Sequence, residues 1–257
     1  MTTYVAWNFL GHRVSSLIHL TLTSIGFPAP LIQLILFALP LILLLEVVVK
    51  LLLFQMGITP VKFVSTQPES WPNLDKDELI RYTFELEQLG FAQLTDFTGI
   101  SSSQGMSRLF SHPQKFCLAE VGQVDNFPMF CSIFCYLEED WFLAVTNMFP
   151  KPSLSAISYA FLRRPRNLHK QFENASVNSL LQSLLVWREE VMNDLDLRLI
   201  QDVKAETYFE KQRNDRIAQR RSLLRKSITL TLLEVLWFYL NPRSEWLGDY
   251  SKLKVKR

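Results

Sequence analysis

The residues best equipped for chemistry in this 257-residue chain are three cysteines, four histidines and a few isolated carboxylates. Cys131 and Cys135 have CxxxC spacing. On a helix that spacing makes a metal pair, but in a strand it sets the thiols about 13 Å apart at ~3.3 Å per residue. Their neighbours Phe130, Ile133, Phe134 and Tyr136 are aromatic or β-branched, so the strand reading governs and both are expected as core thiols. His12 and His19 lie seven apart, about two turns, whereas ligands on one helix sit about four apart to reach one ion. No Cys or carboxylate joins them, and they read as hydrogen-bonded interfacial histidines. His112, His169 and Glu120 are the remaining set from which an acid–base site could assemble in space. Ser101-Ser102-Ser103-Gln104-Gly105 reads as a loop, not a nucleophile turn. No HExxH, GxSxG, GxGxxG or P-loop pattern occurs. The expectation is therefore no catalytic residue, no metal and no cofactor.

The elements that would position such residues begin with a greasy rod. Twenty of the 25 residues in 29–53 are apolar, and only Gln33, Glu46 and Lys50 are strongly polar. As a helix, residues 31–53 reach roughly 34 Å, enough for a ~30 Å hydrocarbon core. Pro40 leaves the Leu36 carbonyl without its donor and predicts a kink. Glu46 and Lys50 share a helix face with opposite charge, read as lying near one headgroup layer with Lys50 snorkelling outward. Residues 4–27 carry a polar stripe (Asn8, His12, His19, Thr23) and Arg13 near the middle. Two arrangements stay open for them: a helix lying in the interface, or the first span of a helical hairpin.

Residues 57–74 hold Pro60, Pro68 and Pro72 and read as a linker. A helix over 75–89 follows, capped by Asn73 or Asp75, with Leu79, Tyr82, Leu86 and Leu89 as its buried stripe and Gly90 ending it. The hydrophobic period then changes to two, predicting strands over 91–97, 108–111, 115–121, 129–137 and 141–147. Their short connections, His112-Pro113-Gln114 and Glu138-Glu139-Asp140, imply an antiparallel meander. Strand 129–137 is apolar on both sides, so it is covered twice and central. Residues 151–166 are left open between strand and helix.

Helical signals run from 176 to 240, with an apolar edge of Leu184, Trp187, Val191, Leu195, Leu199 and Val203. A continuous rod of that length would reach about 90 Å, so a bend, a break or a stalk is expected. Lys211, Arg213, Arg216, Arg220, Arg221, Arg225 and Lys226 face a single acid, Asp215, in that segment. An apolar stretch with Trp237 and Tyr239 comes next, then the basic Lys252, Lys254, Lys256 and Arg257. These seven cations with Trp237 and Tyr239 read as membrane-surface contacts, each cation contributing on the order of 1 kcal/mol at an anionic surface. Nucleic acid is not the expected partner, since no binding fold surrounds the basic run.

The organisation expected is a membrane anchor over 1–56, a linker over 57–74, a soluble α+β domain over 75–175 and a long helical region over 176–257. The fold class is thus α+β: an N-terminal transmembrane helix or helical hairpin, a small antiparallel β-meander with a packed helix, and a long C-terminal amphipathic helix. Net charge is +2, with the basic residues concentrated after the anchor, which by the positive-inside rule puts most of the chain in the cytoplasm. Three cysteines do not form a secreted disulfide framework. The function expected is a membrane-anchored, non-enzymatic protein. Its domain would bind a membrane-protein partner, or a second copy, as a scaffold, assembly or regulatory factor. The alternatives are a membrane-associated enzyme acting on a lipidic or small-molecule substrate, and a lipid- or ligand-sensing domain.

Overall fold

The computed structural model describes residues 28–57, 62–100, 105–124, 127–148, 156–157, 160–161 and 166–240. The expectations for residues 4–27, with His12 and His19, and for the basic tail lie outside these. The described residues group into two units. One holds the N-terminal helix as far as Leu53 together with Ser227–Thr229, and the other runs from Phe54 to Lys226 and continues from Leu230.

The first unit is built on helix α1, Ala29–Gly57, with Pro40 inside it. Within it Ile32–Leu52 is long and apolar enough, by length and composition, to cross a membrane. Its side chains are not sequestered: Phe37 is 76% exposed and Leu34 65%. Glu46 and Lys50 form the expected ion pair at 3.2 Å. The Ser227 hydroxyl and the Thr229 N–H also donate to Glu46 Oε1, at 2.7 and 3.3 Å.

The second unit is organised by a seven-stranded sheet in the order β1 to β7. The strands are β1 Lys62–Ser65, β2 Ala92–Ile100, β3 Gly105–His112, β4 Cys117–Val124, β5 Phe130–Leu137, β6 Trp141–Thr146 and β7 Asn167–Gln171. Helix α2, Lys76–Gln88, opens with Asp75 accepting from the Glu78 N–H at 3.0 Å, which satisfies one bare donor of its first turn. It closes before Gly90, whose φ of +92° suits a residue without Cβ. Leu79, Tyr82 and Leu86 of α2 pack on one sheet face beside helix α3, Val177–Leu195. Arg108 fastens this layer at the β1 side, holding Asp96 through two bonds of 2.7 and 2.8 Å and the Thr83 hydroxyl at 3.0 Å.

The central strand behaves as its pattern predicts. Cys131, Ile133, Cys135 and Leu137 of β5 enter the cluster under α2 and α3, while Phe134 and Tyr136 enter a second cluster on the opposite face. That second face is covered by helix α4, Ala205–Arg225, through Tyr208 and Phe209. A bulge in β2 between Gln93 and Thr95 shifts the alternation. Phe91 therefore faces the first cluster and Phe97 the second, although both are odd-numbered.

Three expectations are corrected. The stretch 57–74 is not all linker: Lys62–Ser65 pairs with β2, because Phe63 packs at 4.9 Å on Phe209 and at 5.7 Å on Phe97. The sheet is not a pure antiparallel meander, since β7 runs parallel to β6 after a longer connection. The C-terminal rod is three helices: α3, α4 and α5, Ile228–Leu240. The first break is at Asp196, a left-handed cap with φ 52°. Beyond it Leu199 bridges to Leu137, and the Ile200 N–H donates to the Tyr136 carbonyl at 3.0 Å. Leu199 and Val203 thus leave the helical stripe to let the chain cross to the other sheet face.

Candidate functional site

The second unit carries a cleft of about 700 Å³ between α2, the start of β5 and the start of α3. Its inner wall is a polar knot. Asn147 Nδ2 donates to the Tyr82 hydroxyl at 2.7 Å, Asn147 Oδ1 accepts from the Cys131 N–H at 2.7 Å, and the Asn147 N–H donates to the Cys131 carbonyl at 3.1 Å. Burial raises the Tyr82 phenol above its usual value, so it stays protonated at neutral pH. At the mouth Arg81 is shared between Glu78 and Glu85. The apolar rim is open: Phe127 is 47% exposed and Met148 38%. On the far side of α2, Ile80 and Phe84 stand 64% and 58% exposed, one turn apart.

A smaller recess of about 240 Å³ lies under α4. There the Tyr208 hydroxyl donates to Glu120 Oε2 at 2.8 Å. Burial raises the Glu120 carboxyl, against the lowering effect of hydrogen bonds from Ser107 and Tyr208. Gln212 and Arg216 of α4 line the same recess.

The structure separates the residues from which an acid–base site could have formed. His112 belongs to the face of Phe91, its ring 5.0 Å from that ring, while His169 lies against Phe142 on the opposite face at 5.5 Å. Glu120 shares the His169 face but is engaged with Tyr208. Burial lowers both histidines, His169 to about 4, so neither is a cation at neutral pH. All three cysteines are buried and free. Burial pushes Cys117 and Cys135 up to about 12 and Cys131 higher still, so all three are protonated thiols and poor nucleophiles at neutral pH. Among the described residues no group of three or more His, Cys, Asp or Glu side chains could hold a metal ion.

The cations singled out for membrane contact fall into two sets. Lys211 lies over the Tyr136 ring at 4.5 Å, Lys226 donates to the Ala160 carbonyl at 2.6 Å, and Arg216 lines the recess. Arg213, Arg221 and Arg225 are exposed on α4, within an arc of roughly 120° by helical geometry. Arg220 belongs to α4 as well. Trp237 and Tyr239 are 62% and 60% exposed on α5. The Asn147–Tyr82 and Glu120–Tyr208 pairings escaped the sequence reading, which took Tyr82 as core and Glu120 as a possible companion of the two histidines. Their partners are 65 and 88 residues apart, and no local spacing encodes such a meeting. Comparison of the chain with protein-family models, with curated proteins and with solved structures finds no match.

Proposed function

We propose that this is a membrane-anchored, non-enzymatic protein whose α+β domain, on the cytoplasmic side, binds a partner protein across α2 and the adjoining cleft. The observation that carries this reading is the pairing of open apolar side chains with occupied polar ones. Ile80, Phe84, Phe127 and Met148 offer apolar contact on both flanks of α2. The polar groups between them, Tyr82, Asn147, Arg81, Glu78 and Glu85, are bonded to one another. Polar groups satisfied in this way orient a surface. A catalytic group instead needs a free position toward its substrate. The exposed apolar length of α1 supports the anchor, which would raise the domain's effective concentration toward a membrane-embedded partner.

The test uses the full chain, with a photo-crosslinking residue at Phe127 or Ile80, in native membranes. A discrete protein adduct is expected at both positions. The double substitution F84D/F127D should remove the co-purifying protein while leaving the thermal unfolding of the detergent-solubilised chain intact. Retention of the same protein at the same stoichiometry would overturn the reading. The cleft volume also falls in the roughly 300–1,000 Å³ range of small-molecule sites. A small molecule retained through gentle purification, seen by native mass spectrometry and lost on Met148→Asp, would favour that reading instead.

A further inference from the structure

Helix α5 is apolar where a helix at a protein surface is normally polar. Leu230, Leu233, Leu236, Trp237, Tyr239 and Leu240 are each 55–66% exposed and at ~100° per residue sweep roughly half the helix circumference. No charged side chain interrupts that arc, and Glu234 lies beside it. The buried side, carrying Thr231 and Phe238, faces the protein. A second observation fixes where the helix begins. Ser227–Thr229 group with α1, and the Ser227 hydroxyl and Thr229 N–H both end on Glu46. Glu46 lies inside the apolar span Ile32–Leu52, roughly 9 Å short of its end at ~1.5 Å per residue.

From these two facts, and resting on the reading of α1 as a membrane helix, we infer that α5 is immersed in bilayer hydrocarbon as a second, non-crossing segment. At thirteen residues it is roughly 20 Å long, too short to span. The arrangement also explains a carboxylate in an apolar span. The first N–H groups of a helix have no partner within it, and in lipid they find no water. Glu46 supplies the acceptor, and Lys50, on the next turn, balances its charge. Arg225 and Lys226, just before α5, sit where the chain would leave the headgroup layer. The polypeptide therefore enters lipid on either side of the sheet domain, which fixes that domain to the membrane at two points.

Spin labels on the full-length protein in phosphatidylcholine–phosphatidylglycerol liposomes test this. Single cysteines replace Leu230, Leu233, Leu236 and Leu240 in turn. The native thiols are buried, and an unsubstituted control measures any labelling of them. Power saturation with oxygen, which concentrates in lipid, and with a water-soluble nickel chelate reads the surroundings of each label. All four positions should favour oxygen. Favouring of nickel at any of them would show a helix lying on the surface or in water. Protection from both reagents would show a protein covering the face. Either result overturns the inference. E46A should move the Leu230 label toward nickel access, with E46Q and K50Q producing smaller shifts, and no shift in E46A would remove the capping role. A label at Leu44 of α1 separates the two readings. If Leu44 lacks a lipid signature the anchor itself fails, whereas lipid at Leu44 without lipid along α5 sinks only the second immersion.

Discussion

On one face of the sheet α3 buries Val177, Leu180, Leu181, Leu184, Trp187, Val191 and Leu195, while on the other α4 buries Tyr208 alone among its described side chains. The first helix is held by area, with each fully buried large side chain contributing about 1.5–3 kcal/mol. The second is held by a few rings and a hydroxyl-to-carboxylate bond. Phe63, Phe97, Phe134 and Phe209 all have ring centroids within 6.5 Å of the Tyr208 ring. The α3 face is thus a core in the ordinary sense. The α4 face is a lid fixed at one aromatic post, above a layer containing Glu120, His169 and the unpaired Tyr136 hydroxyl. Loss of the post should loosen α4 without unfolding the sheet.

The sharpest way to break this contrast is Trp187→Ala on the area-held face. It should cost about 3–5 kcal/mol, read as a large drop in the unfolding midpoint of the detergent-solubilised chain, and a cost under 1 kcal/mol would show that α3 is not the main cover. Next comes acidification on the other face. His169 has a folded value near 4 against about 6.5 for a free histidine. Its contribution is complete above pH 6.5 and is lost as pH falls toward 4, because the unfolded chain takes the proton first. The loss reaches at most about 3 kcal/mol. His169→Gln should flatten that part of the pH–stability curve, and an unchanged slope would mean the ring is not neutral in the fold. Glu120, with its value raised, contributes the opposite slope, weakening the fold as pH rises, so parent and variant curves are compared by difference.

Tyr208→Phe keeps the ring and deletes the donor. It should cost about 1–3 kcal/mol by leaving Glu120 short of a partner, with hydrogen exchange accelerated in α4 more than in β5. Uniform acceleration would dissolve the distinction between post and core. The smallest effect is expected at Asp75→Ala, where loss of the α2 cap should cost ~1 kcal/mol, measured as a modest shift of the same midpoint.

The parts of this fold that were legible in the sequence are those encoded by neighbours. Strand 129–137 announces both of its covers because its side chains alternate into two apolar sets, and the Asp75 cap and Gly90 stop are local chemistry. Helix α3 shows its buried edge in the same way. Beyond Leu195 the same three-to-four spacing misleads, since Leu199 and Val203 serve a bridge and a crossing. What stops the helix is the left-handed turn at Asp196, a residue that carries no strong stop signal. Strand β1 stayed hidden because four residues between prolines have no period of their own; its partner supplies the order. Strand β7, NLHKQ, is polar in composition and is recruited by the edge of β6. The cleft is legible only as separate parts: Tyr82 reads as core and Asn147 as a strand end.

The extra residue around Leu94 has a consequence for how this chain could change over time. It works as a half-step in the strand's two-sided rhythm, so that what is inward before it becomes outward after it. Losing that one residue would leave Gln93 and Thr95 as neighbours opposite Phe110 and Leu109, a regular ladder that keeps Phe91 and Phe97 on the faces they have now. Losing one residue elsewhere in the strand, with the bulge kept, would turn Phe97 away from the rings that receive it, or force the opening of β2 to invert instead. A single deletion in this strand should therefore be tolerated at the bulge and rejected on either side of it, a rule set by position and indifferent to which residue is lost.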